Sequence, residues 1–218
     1  MGQYSRRRNA ERIYERARRE LSRETSGEVK SLVNWDDLSD RQLLTFEHGV
    51  LQELLEEGVS RAGSMMRLEK EIGLARGMIK EILRGRDTIT VSNLRTLLDF
   101  LERPRDSVNK DIIALGGGRY LTIIKNPHLP FDLNTPEGAT VIAAALKDGW
   151  IDIKHRFMYS NRDKRSRERV VQAVKAVFGE TVPLREKREE VIVLNFRSSA
   201  IGEALEKIGV PVGKKVFQ

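Results

Sequence analysis

"NTPEGATVIAAALKDGWI", residues 134–151, decides how the second half of the chain is read. Thr135 and Pro136 open a helix: the threonine caps the first turn, and the proline fits a position whose amide would lack a partner anyway. From Val141 to Leu146 the run is apolar, and at Ala143, Ala144 and Ala145 it is very small. Lys147 and Asp148 end it, and Gly149, Trp150 and Ile151 lead into a strand. Such a helix raises two questions. One is what packs against so little bulk. The other is what the carboxylate meets at the unfavourable end of the helix dipole.

Outward from this stretch, helix and strand signals alternate. Residues 136–148 read as helix, about 150–160 as strand, 163–178 as helix, 182–188 and 190–197 as strands, and 199–208 as helix. Gly179 and Gly209 stand just past helix ends, where a left-handed cap is expected. The strands read as local hairpins rather than as a parallel sheet. On the last strand Ile192, Leu194 and Phe196 alternate with Val191, Val193, Asn195 and Arg197. The first set is expected to face helices and the second to form an outer face, shared with Arg156, Met158 and Ser160. Arg185 and Lys187 are assigned to that outer face as well.

Three stretches resemble the LAGLIDADG domain of homing endonucleases: residues 134–151, "FMYSNRDKRSRERVVQAVKAVFG" at 157–179, and "GEALEKIGVPVGKK" at 202–215. Val141 to Gly149 fall along the family's nine-residue motif, with Ala143 in place of its glycine. The resemblance implies an αββαββα domain over 131–218 with an antiparallel, saddle-shaped sheet. It implies Asp148 as a catalytic, metal-binding carboxylate and Arg197 as the basic residue at the end of the last strand. Mg²⁺ would be the cofactor of a nuclease, and a regulator would need none. Only one motif copy is present, so two carboxylates require a homodimer through the 136–148 helix. Lys147 places a positive charge beside the metal position and favours binding without cutting.

"SMMRLEKEIGLARGMIKEILRGRDTITVSNLRTLLDFLE", residues 64–102, has a different logic. Leu68 and Ile72 share one face of a short helix, Gly73 permits a turn, and Ile79, Ile82 and Leu83 continue the apolar face. Arg76, Lys80 and Arg84 are spaced by four on the opposite side, as a groove-entering helix requires. The stretch resembles the helix-turn-helix of phage-repressor-like regulators. That implies Arg76 and Glu81 at base-facing positions and Lys80, Arg84 and Arg86 at phosphates. Glu69 departs from the family, which has a small residue there.

Charge supports a polyanionic partner. The net charge is +7, arranged as +4 over 1–24, −6 over 25–58, +4 over 59–110, −1 over 111–150 and +6 over 151–218. Basic blocks attract phosphate backbones through counterion release, although solvated helix faces carry similar charge. The chain has no Cys, which excludes disulfides and cysteine-based zinc sites. No stretch approaches the roughly 20 apolar residues of a membrane span, and the start lacks a signal peptide's apolar run. The expectation is a soluble, cytoplasmic α+β protein in four parts. These are an all-helical region at 1–58 with a basic first helix, a helix-turn-helix domain at 59–115, a connector at 116–130 and the LAGLIDADG-like domain at 131–218. Its expected function is sequence-specific binding of double-stranded DNA as a transcriptional regulator. Arg76, Lys80, Glu81, Arg84 and Arg86 would contact DNA from one domain, and Arg156, Arg185, Lys187 and Asn195 from the other. The alternatives are a homodimeric, metal-dependent DNA endonuclease and an RNA-binding module.

Overall fold

A computed structural model describes residues 31–75, 77–116, 123–188 and 191–213. The basic helix expected over 6–24 and Arg76 lie outside the described residues. The chain is mixed α/β with antiparallel sheets. Among the described residues no helix is long and apolar enough to cross a membrane.

The first half is not all-helical. Strand β1 (Leu32–Val33) and a 3-10 turn (Trp35–Asp37) lead to strand β2 (Leu43–Phe46). Only then comes helix α1 (Val50–Ala62). Leu43, Leu44 and Phe46 fit a helical face by spacing, but a four-residue apolar run fits a strand equally well. Tertiary pairing decides between them. Here β2 is flanked on both sides, by β3 (Thr88–Thr90) and β4 (Ile112–Leu115), and Gly49 at φ +93° breaks the chain before α1. Leu44 and Phe46 point into the core.

The boundary expected at residue 58 falls inside α1. Gly58 is buried there, and a Cβ on it would lie 2.9 Å from a Leu68 methyl. Helices α2 (Met65–Glu71), α3 (Met78–Leu83) and α4 (Val91–Leu101) all pack on α1 or its neighbours through Leu68, Ile79, Ile82, Leu94, Leu97 and Leu98. Of the expected connector, residues 117–122 lie outside the described residues, and a strand falls within 123–130. β5 (Ile124–Lys125) completes a sheet in the order β3-β2-β4-β5, and β6 (Phe131–Asp132) pairs with β1.

The second half runs α5 (Pro136–Lys147), β7 (Gly149–Ile151), β8 (Phe157–Asn161), α6 (Lys164–Phe178), β9 (Leu184–Arg188), β10 (Val191–Phe196), α7 (Ser199–Lys207). The single strand expected at 150–160 is two strands. Asp152 turns the chain between them, its Oδ1 accepting from the amides of Lys154 and Arg156 (both 2.9 Å). The four strands form an antiparallel sheet ordered β7-β8-β10-β9. As expected, Thr135 caps α5 by accepting from the Gly138 amide at 3.0 Å.

The two halves meet at the segment before β2. Glu203 of α7 is 8% exposed. Its carboxylate accepts from the Ser39 amide and hydroxyl (both 2.9 Å) and from Gln42 Nε2 (2.8 Å). Arg95 of α4 donates to the carbonyls of Asp36 and Leu38 (both 2.6 Å), and Trp35 Nε1 donates to the Arg105 carbonyl at 3.1 Å. Removing a buried acceptor strands its donors, so Glu203→Ala is expected to destabilise the protein by about 1–3 kcal/mol. Urea unfolding measures this, and an unchanged midpoint would show that Glu203 does not hold the halves together.

Candidate nucleic-acid interface

Helix α2 starts at Ser64, whose side chain accepts from the Arg67 amide. It ends in a turn through Gly73 (φ +67°) to Gly77 (φ +86°), conformations that favour glycine. Gly77 precedes α3 and has no side chain to cap it. The Gly77 amide itself donates to Glu69 Oε1 at 2.7 Å. The residue that departs from the family pattern therefore fixes the second helix against the first. A carboxylate there also suits the positive end of α3.

Ile79 and Ile82 are buried, and Lys80, Glu81, Arg84 and Arg86 are exposed. Lys80 and Arg84 stand four apart on the outer side of α3. Glu81 is committed elsewhere, since its Oε2 pairs with Arg86 Nη1 at 2.7 Å. Arg86 Nε also donates to Thr88 Oγ1. Both side chains of this pair remain about half exposed. With six residues, α3 is about 9 Å long, so it offers little more than one turn and a half to a groove.

In the second half the register corrects the face assignments. Directly paired residues of neighbouring strands share a face. Arg185 pairs with Leu194 and Lys187 with Ile192, so both lie on the α6 side. They do not share the face of Asn195, which pairs with Met158 and Leu184. The starting phase of β9 was misjudged by one residue, and a shift of one turns every side chain over. Asn195 is itself only 4% exposed, with its amide donating to Glu186 Oε1 at 3.0 Å. Met158 and Val193 beside it are also buried. Arg156 is tied to Asp152, with Nε 2.7 Å from Oδ2. Burial alone would raise the Asp152 carboxyl, but hydrogen bonds from Arg156 and the Lys154 amide, with the Arg156 charge, hold it below its ordinary value.

Asp148 ends α5, and its Oδ2 accepts from Asn161 Nδ2 at 3.2 Å. Arg197 is not near it. Asp148 bonds through its backbone to Ser160, opposite Val193, whereas Arg197 follows Phe196 at the other end of the ladder. Four residues of strand separate the two positions, about 13 Å, so they do not form one catalytic pair within the chain. Among the described residues no three His, Cys, Asp or Glu side chains cluster as metal ligands. Within one chain the helix end supplies one carboxylate, Asp148, with its Oδ2 held by Asn161. The small residues around it have intrachain reasons. Ala144 and Ala145 are buried within the chain, and only Ala143 of the three is partly exposed. A Cβ on Gly149 would lie 2.7 Å from the Met158 carbonyl and 2.8 Å from that of Ala144.

Two features escaped the sequence reading. Arg165 and Arg169 stand four apart and exposed on α6, a spacing visible in the sequence. Tyr159 sits near Asp148, which only the fold could reveal. Burial raises its hydroxyl pKa above the usual 10.0, and the charges of Asp148 and Asp163 add to this.

Two outcomes follow. Glu69→Ala leaves the Gly77 amide without its acceptor and should cost about 1–3 kcal/mol; thermal melting measures it, and an unchanged melting temperature would deny Glu69 this role in holding the turn. Tyr159 should ionise above pH 10 in the folded protein, identified by the phenolate absorbance missing from Tyr159→Phe. Its folded pKa lies above the unfolded one, so its contribution to stability is complete below pH 10 and is lost as pH rises through the folded value. Asp148→Asn should bring the titration down; no movement would mean that Asp148 does not act on Tyr159. Comparisons with protein-family models, curated proteins and solved structures give no match to this chain.

Proposed function

We propose that the protein binds duplex DNA sequence-specifically as a transcriptional regulator, through the α2–turn–α3 unit. The observation that carries this reading is the polarity of α3. Ile79 and Ile82 are buried against α1 while Lys80 and Arg84 project outward, on a helix whose start is fixed by Glu69. A helix that presents cations on a rigidly hinged outer face suits phosphate contact and groove entry. Lys80 and Arg84, exposed and four apart, are the principal residues of this reading, with Glu81 and Arg86 paired beside them.

The second half supports an ancestry or likeness to the LAGLIDADG fold through its element order, α–β–β–α–β–β–α, and its sheet order. An endonuclease would need a second carboxylate beside Asp148, supplied by a two-fold partner. Ala144 and Ala145 are buried within the chain, which leaves little of the alanine run for that partner, and Lys147 sets a cation beside Asp148. Binding without cleavage is therefore preferred.

Affinity for a selected duplex should fall steeply and linearly on a log–log salt plot. Lys80→Ala and Arg84→Ala should each reduce that slope by about one. Filter binding with and without Mg²⁺ decides the matter. Salt-independent binding, or slopes unchanged in both variants, would remove the electrostatic basis of the reading. Mg²⁺-dependent cutting that is lost in Asp148→Asn would replace regulator by nuclease.

A further inference from the structure

The face to which Arg185 belongs borders a groove of about 710 Å³ between α6 and the β9–β10 hairpin. This lies within the range of small-molecule sites, about 300–1,000 Å³. Its apolar lining is Val171, Val182, Pro183, Ile192 and Leu194, and its cations are Lys164, Arg167, Lys175 and Arg185. One carboxylate, Glu168, shares the rim. We infer that this groove binds an amphipathic anion, a carboxylate or phosphate carried on an aliphatic body.

Two of the four cations already have partners. Lys164 lies 3.7 Å from Glu168, and Arg167 Nη1 donates to the Asn161 and Arg162 carbonyls (both 2.7 Å). The side chains of Lys175 and Arg185 form no hydrogen bond or ion pair with a described residue. Both border apolar surface that water meets directly: Val182 is 72% exposed, and Ile192 and Val171 are only partly buried. An inorganic anion would use the cations and leave this surface wet. A neutral lipid would cover it and leave the cations unpaired. A nucleic-acid backbone has no use for an apolar lining inside a concave site. An anion with an aliphatic tail satisfies both parts at once, because a charge-assisted hydrogen bond gains where water is displaced by the tail. Arg185 and Lys175 would hold the head group, with the tail along Val182, Ile192 and Val171. This site is separate from α3, so it does not rest on DNA binding.

The test is calorimetric titration of the full chain with decanoate, decanol and inorganic phosphate in parallel. Decanoate is expected to bind, with decanol and phosphate each at least about tenfold weaker. The double variant Lys175→Gln, Arg185→Gln should weaken decanoate by about tenfold or more, as should Val182→Asp. These positions are exposed or partly exposed, and wild-type melting of the variants verifies that they fold. Absent decanoate binding would overturn the inference. So would decanol or phosphate binding as tightly as decanoate, or unchanged decanoate affinity in folded variants.

Discussion

The arrangement depends on a carboxylate that has left water. Glu203 is buried, and burying an ionised group costs several kcal/mol unless its oxygens are well supplied with donors. The donors come from one short segment, Ser39 and Gln42. That segment is held from its other side by Arg95 and Trp35, which bind α4 and the Arg105 turn. The residues from 34 to 42 therefore form a hub. The α2–turn–α3 unit hangs from it through α4, and the second sheet through α7. Next to Glu203, Gly202 lets α7 approach the β7–β8 turn so closely that a Cβ would lie 2.0 Å from the His155 carbonyl. The helix is pinned on both flanks at one point along its length.

The second half was largely legible in the sequence because its signals are local. Thr135-Pro136, Asp163 and Gly179 mark helix ends through chemistry carried by single residues. The buried faces of α2 and α3 were legible for the same reason: Leu68, Ile72, Ile79 and Ile82 repeat at helical spacing. The first half was misread where the deciding contacts are distant. Nothing within Leu43–Phe46 announces that strands from residues 88 and 112 will bracket it. The strand phase of β9 failed on a related ground. "LREKR" has charges on both faces, so its own sequence cannot say which face α6 will cover.

At the site level, residue types were readable but their commitments were not. Arg156, Glu81 and Asn195 look like free polar groups in the sequence. In the fold they are joined to Asp152, Arg86 and Glu186. Glu69 departs from the residue type the resemblance implies, and its carboxylate holds the turn before α3. Of the three alanines of α5 that suggest an interface for a second chain, two are buried within the chain.

The pairing of β1 with β6, and of Ser39 with Glu203, also governs when the protein can become itself. Leu32 waits for Asp132, and Ser39 for a residue 164 positions later. Contacts of such separation are slow to form, since a long loop must close before they stabilise anything. On the ribosome, the earliest part of the described chain is thus among the last to settle. Its first strand has no partner until β6 has been made, and Ser39 and Gln42 have none in α7 until Glu203 has.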